Sequence, residues 1–211
     1  MKPYYSEAGI TIYNADCQQA IEYLGDFDLL VTDPPYGMSY QSNMRLVKHR
    51  PIHGDSAFPS GVIRKYLGLA KAAGYVFCRW DNLGQVPPFR SLVVWDKGNN
   101  GMGDLAHEHA RRWEAICFYP KEGHEFIRRP PDVVSVPRTD NAMHPTQKPV
   151  ELLEWIIGHN QGDVIVDPYM GSGTTLLAAK NLGRRACGVE IDEEYCEIAA
   201  RRLSQGVLFG A

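Results

Sequence analysis

Asp33-Pro34-Pro35-Tyr36 puts a carboxylate, a stiff backbone and an aromatic ring into four consecutive residues. The apolar run Leu29 to Val31 ahead of it reads as a buried strand. Two prolines cannot continue a sheet ladder, so the strand must end there. The proline at 34 also holds Asp33 out of helical geometry. The product is a rigid extended corner at the carboxyl end of a strand, the edge where open α/β sheets bind ligands. A strand that merely ends in a proline turn has the same sequence, and these four residues do not separate the two readings.

A second constellation runs from Val164 to Glu190: a strand, the turn Asp167-Pro168-Tyr169-Met170-Gly171-Ser172-Gly173-Thr174, a helix, and a strand ending in an acid. Gly171 and Gly173 permit a tight turn and close backbone approach. Glu190 follows Gly171 at close to the spacing at which an acid meets ribose hydroxyls in nucleotide-binding βαβ units. Thr174 stands in the neighbourhood of the third glycine of the dinucleotide fingerprint, and no lysine follows as in a phosphate-binding loop. A ligand with a ribose and no pyrophosphate therefore fits better than NAD or ATP.

Alternating patterns position these two turns. Strands are expected at Ile10 to Tyr13, Asp28 to Thr32, Gly74 to Cys78, Ser91 to Trp95, Trp113 to Tyr119, Val164 to Val166 and Ala186 to Val189. Helices are expected at Cys17 to Leu24, Gly61 to Ala73, Pro149 to Ile157, Thr175 to Leu182 and Glu193 to Leu203. Asp16 sits at a strand end and a helix start, where a carboxylate can cap the helix and still face a ligand. Gly37 to Pro59 and Lys121 to Met143 show no periodicity. The alternation predicts a single α/β domain over 1–211, a doubly wound, Rossmann-like sheet of about seven mainly parallel strands with helices on both faces.

The 211 residues suffice for one full core, and a net charge of −3 excludes a generally basic nucleic-acid binder. Local basic stretches remain, at Arg45, Lys48 and Arg50 and at Arg128, Arg129 and Arg138. The five cysteines form no CxxC pair, so neither disulfides nor a zinc knuckle is indicated, and no other metal ligand set is convincing. No signal-peptide core and no membrane-length apolar run is present, which predicts a cytoplasmic protein.

Asp33-Pro34-Pro35-Tyr36, the Asp167 to Thr174 turn, and His144-Pro145-Thr146-Gln147-Lys148-Pro149 together resemble the amino-group DNA methyltransferases that use S-adenosylmethionine. The catalytic tetrapeptide comes first and the cofactor glycines last, the permuted order of the β class. The resemblance spans roughly Ile10 to Leu203. It implies a catalytic half at 10–119, a short target-recognition region at 120–143 and a cofactor half at 144–204.

Residue by residue, the resemblance implies that Asp33 and the Pro34 carbonyl accept hydrogen bonds from the target amino group. Pro35 keeps the corner rigid, and Tyr36 stacks on the target base. It implies that Asp167, Pro168, Tyr169, Gly171, Ser172, Gly173 and Thr174 line the methionine and ribose of the cofactor. Glu190, with Ile191 beside it, takes the ribose hydroxyls, and Asp16, with Cys17, takes the adenine amino group. His144, Thr146, Lys148 and Pro149 close the pocket. Tyr169 stands where the family commonly has phenylalanine, and the recognition region is short. Trp95-Asp96-Lys97 and Trp113-Glu114 resemble weaker family strands.

The implied chemistry is methyl transfer to an exocyclic amino nitrogen, with S-adenosylhomocysteine as co-product. That nitrogen is a poor nucleophile, so positioning and electrostatics must dominate. A base in a duplex must first be flipped out. Ring-carbon methylation is excluded because no cysteine follows a proline. An aspartate heading the tetrapeptide resembles the adenine enzymes. Cytosine-N4 transfer and a catalytically inactive cofactor- or DNA-binding module are the alternatives, and an NAD oxidoreductase is weaker still. The implied partner is double-stranded DNA. A homodimer and a cognate restriction endonuclease are further partners that the sequence leaves open.

Overall fold

The computed structural model describes residues 1–37, 57–98, 106–107, 109–138 and 147–205. Among them one sheet carries nine strands, in the order β1-β2-β9-β8-β3-β4-β6-β5-β7. The strands are β1 Tyr5–Glu7, β2 Ile10–Asn14, β3 Phe27–Thr32, β4 Ala70–Cys78, β5 Ser91–Asp96, β6 Trp113–Pro120, β7 Val133–Ser135, β8 Val164–Asp167 and β9 Arg185–Glu190. The helices are α1 Cys17–Ala20, α2 Ser60–Leu69, α3 Val150–Gly158, α4 Thr174–Asn181 and α5 Glu193–Ser204.

Five strands from β2 to β4 run parallel, as expected for a doubly wound sheet. β6 is antiparallel to both β4 and β5, and β7 returns parallel to β5. One core layer packs α3, α4 and α5 residues such as Leu152, Ile156, Leu176 and Ala199 against the sheet. The other packs α2 residues Ile63, Tyr66 and Leu67 against Phe27, Leu30 and Val76. Helices thus cover both faces.

The expected count of about seven strands is corrected to nine. β1 and β7 are three residues each, too short to show a two-residue alternation. The helix expected to reach Ala73 stops at Leu69, because Ala70 turns extended (ψ 134°) and opens β4 four residues before Gly74. Gly74 itself is a close-packing position, since a Cβ there would lie 2.3 Å from Leu67 Cδ2. The helix expected over Cys17 to Leu24 keeps regular geometry only to Ala20.

The topology has one decisive feature. The chain winds from β3 through α2 to β4 in one direction, and from β8 through α4 to β9 in the other. β3 and β8 are neighbours, with Leu29 opposite Ile165 and Leu30 opposite Val166. Their boundary is the switch point at which open α/β sheets form a ligand crevice. Because β6 is antiparallel to β4, its amino end reaches the same sheet edge as the carboxyl ends of β3, β4 and β8.

Candidate active site

The Asp33 corner leaves β3 at this switch point. Pro34 is buried, while Asp33, Pro35 and Tyr36 are half-buried. Asn82 donates to the Tyr36 carbonyl at 3.2 Å and fixes the end of the corner. The Tyr36 hydroxyl lies 2.6 Å from Asp33 Oδ1 and 2.7 Å from Glu114 Oε1. Glu114 arrives from β6, one step beyond the Cys78–Ala115 pair. The Lys148 ammonium closes the cluster, bonded to Asp33 Oδ2 and 3.0 Å from Glu114 Oε1. Lys97, just past β5, stands 3.8 Å from Glu114 Oε2.

A phenol has one proton, so Tyr36 can donate to only one of its two carboxylate neighbours. The electrostatics separate them. Burial raises the Asp33 carboxyl above its ordinary range, with Lys148 pulling the other way. Glu114 is buried too, but Lys148 and the Tyr36 hydroxyl outweigh that and hold it below its ordinary range. When the cluster takes up a proton, Asp33 holds it, and Tyr36 then donates to Glu114. Lys148 stays charged: burial works against it, and the two carboxylates overcome that. Its ammonium also lies 5.1 Å from the Phe77 ring centroid and 5.9 Å from that of Tyr36.

The glycine turn lies beside this cluster. Gly171 (φ 50°) and Gly173 (φ 77°) both take left-handed conformations, and a Cβ on Gly173 would come 2.8 Å from Ala199 Cβ. Glu190 spans the turn: Oε2 accepts from Gly171 N at 3.0 Å and Oε1 from Asp192 N at 2.9 Å. Burial raises its carboxyl above the ordinary range. Ala15 N donates to the Glu190 carbonyl at 3.0 Å, which brings the Asp16 turn alongside. Asp16 caps α1 by accepting from Gln18 N at 2.7 Å, and remains half-buried. The Cys17 thiol and the Tyr169 hydroxyl lie near each other, and burial raises both above their ordinary range. Ile191 leaves an apolar side chain 47% exposed beside Glu190.

Several expected roles acquire different partners. Asp167 spends its carboxylate internally, accepting from Thr32 Oγ1 at 3.0 Å, Tyr169 N at 3.1 Å and Thr175 Oγ1 at 2.6 Å. Burial nevertheless raises it to about 7. Arg202 of α5 donates to the Ser172 carbonyl at 2.6 Å and lies 3.1 and 3.3 Å from the Ser172 and Thr174 hydroxyls. Pro168 is buried, and Pro149 is buried at the start of α3. Lys148 is engaged on the Asp33 side of the crevice. His144, Thr146, Arg45, Lys48 and Arg50 lie outside the described residues.

The exposed arginines separate. Phe126 bridges Asn160, and Ile127 N bonds the His159 carbonyl beyond the end of α3. This holds Arg128 and Arg129 near the amino-terminal edge of the parallel strands, opposite Asp33. Arg138 follows β7 to the catalytic edge, where its charge acts on Lys97. Spacing along the chain carried no information about that difference. Sequence reasoning also missed the roles of Glu114, Thr32, Thr175 and Arg202. The pairing of an acid with the WE dipeptide at a strand start was the only local hint for Glu114.

The residues fit a nucleoside sulfonium. Acceptor carboxylates at Glu190 and Asp16 suit hydroxyl and amino donors, and a glycine turn allows close approach. Gln147 Oε1 is buried and, among the described residues, has no hydrogen-bond partner. Among the described residues, no group of His, Cys, Asp and Glu is suited to a metal and no helix is long and apolar enough to cross a membrane.

A sequence profile of the N6_N4_Mtase family, described as DNA methylase, matches residues 129–201. The Type II methyltransferase M.ScaI of Streptomyces caespitosus is 27% identical over 96% of this chain and 84% of its own. The DNA adenine methyltransferase YhdJ of Escherichia coli is 40% identical over 53% of this chain and 42% of its own. Among solved structures, the M1.HpyAVI–SAM complex has a TM-score of 0.70 at 24% identity, over 92% of this chain and 99% of that one. The cytosine-N4-specific PvuII DNA methyltransferase has a TM-score of 0.71 at 15% identity, over 98% and 90%. These structural likenesses establish the fold.

Proposed function

We propose that this chain, which is similar to the N6/N4 amino-group DNA methylases, methylates the exocyclic amino group of adenine in DNA, using S-adenosylmethionine. One observation carries the reading. The Asp33 corner and the Gly171–Glu190 turn meet at a single switch point and are tied together by the bond from Thr32 to Asp167. A donor pocket and an acceptor pocket that share a wall suit group transfer.

Glu190 holds the ribose, Asp16 the adenine amino group, and Gly171 to Thr174 the remainder. Bound there, the cofactor supplies an electrophilic methyl on a sulfonium. The chain's own work is at Asp33. Its carboxylate and the Pro34 carbonyl accept the amino hydrogens and favour a pyramidal nitrogen, and the carboxylate alone receives the proton released on transfer. Tyr36 offers its ring to the flipped base. Arg138 is a phosphate contact on the catalytic edge. Arg128 and Arg129, on the opposite edge, are not. So short a recognition region suits a short target sequence or a dimer that extends the contact surface.

The adenine choice rests on the aspartate that heads the tetrapeptide and on the similarity to YhdJ. The test is incubation of unmethylated duplex DNA with S-adenosylmethionine, followed by nucleoside analysis by mass spectrometry. N6-methyladenine is the expected product. N4-methylcytosine would replace the adenine reading, and an unmodified digest would overturn methyl transfer.

A further inference from the structure

In the free protein the Asp33 acceptor is already taken. Lys148 bonds Oδ2 and Tyr36 faces Oδ1, so a target amino group must share an oxygen with one of them or take its place. Displacing a buried ammonium from its partner is costly unless a second partner is at hand. Lys148 has one, because Glu114 Oε1 is 3.0 Å away and its side chain is only 14% exposed. The same oxygen holds the Tyr36 hydroxyl at 2.7 Å.

Building on the reading above, we infer that Glu114 is a positioning residue for the transfer reaction. It receives the Lys148 ammonium as the target amino group takes its place on Asp33, and it fixes the Tyr36 ring through its hydroxyl. Glu114 touches neither substrate nor cofactor and acts through these two side chains. The exchange breaks the Lys148–Asp33 bond, keeps the Lys148–Glu114 bond and moves no proton. Asp33 is left as a free carboxylate beside the incoming N–H groups.

The groups facing Asp33 define the test. They are Tyr36 in its own corner, Lys148 ahead of α3, Glu114 on β6, Asp167 on β8, and the buried Cys78 thiol of β4, with Lys97 behind Glu114. Removing the Glu114 charge takes away a like charge and leaves Lys148 wholly to Asp33. Both changes make Asp33 harder to protonate and harder to free.

The experiment compares wild type, E114Q, E114D, E114Q/K148M and Y36F on duplex DNA across pH, with S-adenosylmethionine affinity measured by calorimetry. E114Q is expected to bind the cofactor as wild type does. Its kcat should fall by about 100-fold, as for a misplacement on the order of 1 Å at a reacting centre. The acid limb of its profile should move to lower pH, and E114D should recover most of the rate. E114Q/K148M should move the acid limb to higher pH than wild type, because Asp33 then loses its cation. If E114Q does not fold, Y36F is read alone. Loss of its hydroxyl removes a bond that favours ionised Asp33, so its limb should move to higher pH. Methylation by wild type together with an unaltered E114Q rate and profile overturns this inference alone. Failure of Y36F to move the limb, where it is the variant read, does the same. A wild type that methylates no DNA overturns the proposed function as well.

Discussion

Asp167→Asn should change how stability depends on pH more than it changes stability itself. The Asp167 carboxyl is 3% exposed, and burial raises it from 3.8 to about 7 despite three hydrogen bonds. In the folded chain it therefore holds a proton more tightly than in the unfolded chain. Between about pH 4 and pH 7 the native state binds more protons, so stability must fall as pH rises through that window and level off above it. The interval is worth about 4 kcal/mol in full at 1.36 kcal/mol per pH unit, and about 2–3 kcal/mol between pH 5 and pH 7.5. Asparagine cannot ionise and keeps an oxygen for Thr32 Oγ1 and Tyr169 N. Only the Thr175 hydroxyl must turn round, at about 1 kcal/mol. The variant should then be slightly less stable at pH 5 and as stable as wild type or more so at pH 8. Glu114 and Glu190 titrate in both proteins and cancel in the difference, whereas Asp33 loses a like-charged neighbour in the variant and its share runs in the same direction as that of Asp167. Thermal unfolding followed by circular dichroism at matched ionic strength tests this. Wild type should lose about 5–10 °C of Tm relative to the variant between pH 5 and pH 7.5. Parallel Tm curves would show that Asp167 pays no burial cost in the native state, and the assignment of its proton would be wrong.

Three further outcomes follow from the site. Asp33→Ala should abolish methyl transfer while leaving the fold and S-adenosylmethionine binding intact, since Lys148 keeps Glu114 as a partner; activity and calorimetry on the same preparation check both halves. Glu190→Ala should weaken cofactor binding by about 1.5–3 kcal/mol, the worth of a hydrogen bond to a charged group, and an unchanged dissociation constant would place the ribose elsewhere. Arg138→Gln should reduce the salt slope of DNA binding by about one, whereas neutralising Arg128 and Arg129 together should leave it unchanged; the reverse pattern would put the duplex on the opposite edge of the sheet.

What could be read from the chain was what lies within a few residues of a strand end. The Asp33 corner, the Gly171 and Gly173 turn and the acid at 190 announce themselves through proline, glycine and spacing, and each sits where the pattern put it. What could not be read depends on contacts across the sheet. Glu114 meets Tyr36 across 78 residues of sequence, and Lys148 meets Asp33 across 115. The resemblance put Lys148 with the cofactor because the residues around it adjoin the cofactor motif in sequence. Its ammonium instead reaches back over the crevice to two acids. Arg128 and Arg129 are close to Arg138 along the chain, yet β7 carries the chain from one sheet edge to the other between them, which the sequence does not show.

The permuted order of the two motifs follows from the same geometry. Crossovers run outward in opposite directions from β3 and β8, so either half can come first in the chain without moving the boundary between them. What cannot change is the contact at that boundary. Thr32 stands immediately before Asp33 and bonds Asp167, so the acceptor corner and the cofactor turn move as one. Asp33 and Asp167 are also like charges that raise each other's proton affinity. Below about pH 7 a proton on Asp167 removes one of those charges, which favours Asp33 as the ionised acceptor that transfer requires. Thr32→Val, which cuts the bond and leaves both acids in place, should therefore lower kcat more than it lowers S-adenosylmethionine affinity. Equal losses in the two would mean that Thr32 serves the fold alone.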